Sequence, residues 1–243
     1  MQRSLPGSLA ALASLLWLTP APAARATAKP ADQMLARNIA AMRGVRAIRV
    51  NFRCEKKLQV LKRPFVSGGV ITIARPNQVR FQTISPYLSC YILTGRKVFS
   101  RNQTDRHWHT ARLDRQESLA MIMRQFALWS LGKQRNIGKD YSVTMTRTAL
   151  PPPPRLSGAP PGEPSRRALP APSREVELFT LTPRNSLLAK AIRTVQLGFP
   201  PQSPHLIFIR IASRHDNQSL YWFDHLRMNP HLPASCFKPV GPP

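Results

Sequence analysis

The chain has 243 residues, and 36 Lys and Arg against 11 Asp and Glu give it a formal net charge of +25. The few carboxylates form no obvious acid–base pair. There is no G-x-S-x-G, no phosphate loop and no dinucleotide fingerprint, and the three cysteines lack Cys-x-x-Cys spacing, which together argue for binding over catalysis and against a thiolate metal site.

Met1-Gln2-Arg3 is a short basic start, Ser8 to Leu18 is apolar but too short to span a bilayer, and Pro20 to Ala26 offers Ala-x-Ala cleavage sites. Residues 1–26 therefore read as a signal peptide, with an N-terminal membrane anchor as the other reading. The remaining 27–243 suit one domain, exported and disulfide-permissive. Losing Arg3 and Arg25 takes the charge from +25 to +23. In a cytosolic protein this would point to nucleic acid. On an exported one it points to anionic membrane surfaces or to a solvated basic surface.

Asp32 can cap a helix over Gln33–Arg43 with Leu35, Ile39 and Met42 on one stripe and Gly44 as the stop. Ile48 to Leu61 alternates as a strand. Ile48, Val50, Phe52, Cys54, Leu58 and Val60 share a phase that Lys56 interrupts, as a bulge or an exit to solvent. Val70–Ala74, Gln78–Ile84, Leu88–Leu93 and Lys97–Arg101 follow as an antiparallel meander, turned at Arg75-Pro76-Asn77 and Thr94-Gly95. Cys54 and Cys90 fit small buried positions as free thiols, with a bridge in an oxidising compartment as the second reading.

Arg106–Thr110 reads as a strand with His107 and His109 on one face, a pair without a third ligand nearby. Asp114 with Glu117 starts a second helix whose stripe of Leu119, Ile122, Met123, Phe126 and Ala127 ends at Gly132. Such a Met-rich stripe suits either a core or acyl chains. Tyr141, Val143 and Met145 alternate in a strand. Residues 150–174 are Pro-rich, with four prolines from Pro151 to Pro154, and read as an excursion that joins neither sheet nor core, with partner docking as the other reading. Val176–Thr182, Thr194–Phe199, Leu206–Ala212 and Leu220–Asp224 close the sheet. A brief helix starts at Asn185 or Ser186 and runs to Ile192, and Leu232 and Phe237 are possible pegs of the tail.

Ala74-Arg75-Pro76-Asn77, then Val79-Arg80-Phe81, Ser85-Pro86 and Ile92-Leu93-Thr94-Gly95-Arg96-Lys97-Val98-Phe99, stand in an order that resembles the LolA-like periplasmic lipoprotein carriers. Leu181-Thr182-Pro183-Arg184 and the stretch from Asn229-Pro230 to Phe237 are similar in type. Thr94 replaces a frequent aspartate, and the Pro-rich insert is a departure. The resemblance implies a mostly β fold with short helices (α+β): a curved antiparallel sheet forming an incomplete barrel, closed by amphipathic helices. It implies that Arg75 hydrogen-bonds a lid over the cavity and that Val79, Phe81, Ile92, Leu35, Ile39, Ile122, Met123 and Phe126 line the lipid site. It also implies a periplasmic monomer that needs no cofactor and no metal. Such a carrier takes outer-membrane lipoproteins or other acylated cargo from an inner-membrane ABC release complex to an outer-membrane acceptor. A paralogue carrying a glycolipid or polyene ester is the alternative within the fold. A basic nucleic-acid-binding protein is the alternative outside it, against which the export signal argues.

Overall fold

The computed structural model describes residues 30–112, 127–132, 137–156, 175–184, 189–190, 192–214 and 216–241. After helix α1 (Ala31–Ala41) come eleven strands: β1 (Ala47–Lys57), β2 (Phe65–Ala74), β3 (Gln78–Ser85), β4 (Ser89–Thr94), β5 (Lys97–Asn102), β6 (His109–Arg112), β7 (Tyr141–Ala149), β8 (Glu175–Pro183), β9 (Ile192–Phe199), β10 (Phe208–Ser213) and β11 (Gln218–Met228). All lie in one sheet in the order β6-β5-β4-β3-β2-β1-β11-β10-β9-β8-β7. Only the β1–β11 pairing joins strands that are not consecutive. The chain thus meanders outward from β1 to β6, restarts at the far edge with β7, and meanders back until β11 docks on β1. The sheet is antiparallel and open, with β6 and β7 as free edges, and is neither closed nor strongly curled.

The alternation read from the sequence decides the two faces. On the inner face, Ile48, Val50, Phe52 and Cys54 of β1 stand opposite Ile73, Ile71, Gly69 and Ser67 of β2, and Ile71 and Ile73 stand opposite Phe81 and Val79 of β3. The main core gathers there with Leu35 and Ile39 of α1, Trp129 and Leu131 of a segment helical at 127–130, and Ile137 of the short helix Ile137–Asp140.

The outer face is covered too, by two irregular segments. Residues 150–156 cross it. Trp222 donates Nε1–H to the Pro151 carbonyl (3.0 Å), Leu150 packs on Phe208, Leu220 and Trp222, and Leu156 fills the space over Gly68 so closely that a Cβ there would lie 2.6 Å from it. The C-terminal tail covers β3–β6. Its carbonyls at Cys236, Phe237 and Gly241 accept hydrogen bonds from Arg80, Thr94, Arg101 and Trp108.

Several expectations need correction. The start of the Pro-rich stretch does join the fold: its prolines cannot donate to a ladder, but its side chains and carbonyls lie on a sheet face. Pro30, not Asp32, precedes α1, and Asp32 sits in the first turn without a capping bond. β1 ends at Lys57, and residues 58–64 form a loop. Lys56 stays in register; the β1 bulge lies between Arg49 and Asn51. β2 begins at Phe65, five residues early, because Gly68 and Gly69 continue the strand where their missing side chains admit Leu156 and the Gln82 carbonyl. His107 falls before β6, His109 contacts Asp105 instead, and the described residues hold no group of three possible metal ligands. Most of the expected second helix and of the helix at 185–192 lies outside the described residues, as does the expected signal peptide.

Candidate functional site

Arg75 opens the turn after β2 and is half-buried against the cover of the inner face. Its Nε donates to the Val45 carbonyl at 2.8 Å, and Nη2 donates to the carbonyls of Arg43 at 2.5 Å and Leu131 at 2.7 Å. One planar guanidinium thereby ties the strand to two covering segments: the chain leaving α1 and the end of the 127–132 segment. Only Arg carries enough donors in one plane for this. The two segments also touch directly. Gly132 has φ +67°, and a Cβ there would stand 2.6 Å from the Ile39 carbonyl and 2.7 Å from the Arg43 nitrogen.

The expected lining residues separate. Val79 is buried beneath the cover, beside Leu93, Ala127, Leu128 and Leu131. Leu35 and Ile39 are core residues of α1, 0% and 2% exposed. Phe81 lines a larger cavity described below. Ile92 is fully buried on the opposite face: Leu93 is the partner of Val79, so Ile92 points with Arg80 toward the outer side. Ile122, Met123 and Phe126 lie outside the described residues.

Where α1 and the 127–132 segment do not reach, the inner face opens into a cavity of about 530 Å³. Its walls include Phe65, Phe81, Tyr91 and Tyr221, with Tyr87 and Leu88 of the β3–β4 link at its edge and Asn102, Gln103 and Thr104 of the β5–β6 turn beside them. Phe81 and Tyr221 of its lining continue into a contiguous aromatic group with Phe52 and Phe223, with Phe52 and Phe81 ring centroids 4.6 Å apart. Five of the seven exposed large apolar residues among the described ones, Val60, Leu61, Ile84, Tyr87 and Leu88, belong to this end of the sheet. An apolar rim concentrated at one cavity mouth differs from scattered exposure and marks an interaction site.

At the cavity floor the Tyr221 and Ser67 hydroxyls donate to the Cys54 thiol. Burial pushes Cys54 up to about 11, opposed by the nearby Lys56 ammonium, and burial together with Cys54 raises Tyr221 well above its ordinary value. Both shifts favour the protonated, neutral forms of these two groups. All three cysteines are free. Cys90 lies on the outer face, pushed up to about 11 by burial. Sequence reasoning missed Phe65, Ser67, Tyr91, Lys56 and Tyr221 as cavity residues. The phase of β1 was the available signal, since Cys54 and Lys56 share it with Phe52.

No protein-family model matches the chain, and no curated protein matches it. Solved structures that are similar over most of the chain, at low sequence identity, include LolA superfamily proteins. A LolA superfamily protein from Nitrosomonas europaea is 9% identical, with 87% of this chain and 98% of that one covered and a TM-score of 0.40. A putative outer membrane lipoprotein-sorting protein domain from Vibrio parahaemolyticus is 8% identical, covering 86% and 97% at a TM-score of 0.43. LprF from Mycobacterium bovis is 13% identical, covering 88% and 95% at a TM-score of 0.41.

Proposed function

We propose that this protein is a LolA-like carrier that shelters the acyl portion of an amphiphile on the inner face of its sheet. The observation that carries the reading is the juxtaposition at that face: an arginine clasp holding two covering segments beside an apolar, aromatic-floored cavity. Burial of apolar chain supplies affinity without directional contacts. At about 0.8 kcal/mol per methylene, some fifteen methylenes are worth about 12 kcal/mol before association costs. Release then needs a cover that can move, and a cover tied by one side chain is suited to that. The buried Trp129 Nε1, which has no hydrogen-bond partner among the described residues, costs the closed arrangement about 1–3 kcal/mol. The apolar rim supports transfer between apolar surroundings rather than through water.

In this reading residues 27–243 are one exported domain following a cleaved leader, its sheet bending around cargo as the two covers close over it. It works as a monomer in the periplasm between an inner-membrane release complex and an outer-membrane acceptor, with lipoproteins as the first cargo class to examine. The basic surface faces anionic head groups. Native mass spectrometry of the protein purified from its own envelope, with extraction and identification of what it holds, tests the reading. A bound acylated molecule, lost on altering Arg75 or Phe81, is expected. An empty protein that retains nucleic acid through high salt overturns it.

A further inference from the structure

Lys56 is the oddity of its strand. It interrupts the apolar phase of β1, yet β1 stays in register across it, opposite Phe65 on one side and Ser219 on the other. Its side chain therefore comes to the cavity wall, where it is the one charged residue of the lining. No carboxylate among the described residues pairs with it. Glu55, its neighbour in sequence, points to the other face and pairs with Lys57 at 3.4 Å. Cys54, two residues back on the same strand face, lines the same cavity. An ammonium beside an aromatic-walled hollow is half of an ion pair whose other half the described residues do not supply.

The size of the hollow sets a second limit. If a chain methylene takes roughly the 30 Å³ of a liquid water, about 530 Å³ holds on the order of eighteen methylenes. That is about one acyl chain within the walls, so the further chains of a triacylated lipoprotein anchor would extend past its open mouth. The neutral donors and acceptors of Asn102, Gln103 and Thr104 stand along the same wall, ready to complete the solvation of a small polar head.

We propose that the cavity binds a single-chain amphiphile with an anionic head, the chain lying over Phe81, Tyr91 and Tyr221 and the head paired with Lys56. This rests on the carrier reading and narrows its cargo class to a fatty-acid-like or anionic single-chain lipid.

The experiment is displacement of a neutral fluorescent naphthylamine reporter from the full mature chain by oleate, by oleyl alcohol and by a tripalmitoylated peptide, in wild type, Lys56→Gln and Lys56→Arg. For wild type, oleate is expected to displace at about tenfold lower concentration than the alcohol at low salt, the value of one partly screened ion pair. Lys56→Arg keeps the preference, Lys56→Gln abolishes it with an unchanged thermal midpoint, and the three-chain peptide competes poorly. Equal displacement by oleate and alcohol in wild type, or a preference that survives in Lys56→Gln, overturns the ion pair. Strong competition by the three-chain peptide overturns the single-chain limit while leaving the carrier reading standing. Failure of every amphiphile to displace, or of the reporter to bind, overturns both.

Discussion

Replacing Arg75 with alanine tests the clasp most directly. The side chain makes three hydrogen bonds to main-chain carbonyls, two of them partly buried and one exposed. Bonds from a charged donor contribute about 1.5–3 kcal/mol each when desolvated, and the exposed one is worth little because water replaces it. Arg75→Ala is therefore expected to cost about 3 kcal/mol, roughly a hundredfold in the local opening equilibrium. The cost should be local. Native-state hydrogen exchange should show the amides of Val45, Leu131 and Gly132, bonded to Met42, Ala127 and Trp129, exchanging about a hundredfold faster. The β8–β9 ladder, remote from Arg75, should slow or quicken only with global stability. Arg75→Lys keeps the charge but not the fork, so it should recover less than half of the loss. A loss spread evenly over sheet and cover, or one under about 1 kcal/mol, would refute the idea that Arg75 holds a separable lid.

Gly132→Ala combines a left-handed φ with a 2.6 Å approach to the Ile39 carbonyl and should destabilise by about 3 kcal/mol, read as a thermal-midpoint fall of roughly 6–12 °C. Trp222→Phe removes the bond to the Pro151 carbonyl, about 1 kcal/mol, and should raise tryptic cleavage after Arg155 roughly fivefold with the sheet intact. Cys54 and Cys90 are raised from 9.0 to about 11 in the folded protein. Folding thus favours the protonated thiols: their contribution is fully present below pH 9 and drains away as pH rises through about 11, so the urea midpoint should fall over that window. The same burial should leave both thiols unalkylated at pH 8 until denaturant is added.

The meander was legible because Gly, Pro and Asn punctuation separates runs of β-branched residues, and the inner phase of β1 was legible because its outer phase is Arg, Asn, Arg and Glu. Ile92 was misplaced for a physical reason. Along β4, Cys90, Ile92 and Leu93 are all buried, since the tail covers one face and the core the other. Alternation carries no information where both faces are dry. The parity is set instead by the link between β3 and β4, which pairs Val79 with Leu93. The Pro-rich run misled in a similar way. Its inability to enter a ladder was read as exclusion from the fold, whereas a face needs only carbonyls and apolar contact, and Trp222 and Gly68 use both. The contacts of Arg75 could not be derived from its own neighbourhood, because its acceptors are 30, 32 and 56 residues away; only the resemblance pointed to them.

The two faces of the sheet are covered in different ways. On the outer side, one irregular segment crosses at Trp222 and Gly68 and the other at Arg80, Thr94, Arg101 and Trp108. Each is fixed at several separated points, so releasing it requires breaking them together. On the inner side, the polar ties of the two covering segments converge on one guanidinium just after β2 and on one glycine contact, beside the apolar packing of Leu35, Ile39, Trp129 and Leu131 in the core. Multiple spaced attachments stiffen a sheet, while attachments gathered at one point make a hinge. In the carrier reading proposed above, opening would therefore occur at the face that carries the cavity, and the three hydrogen bonds of Arg75 are what the exchange experiment on Arg75→Ala weighs.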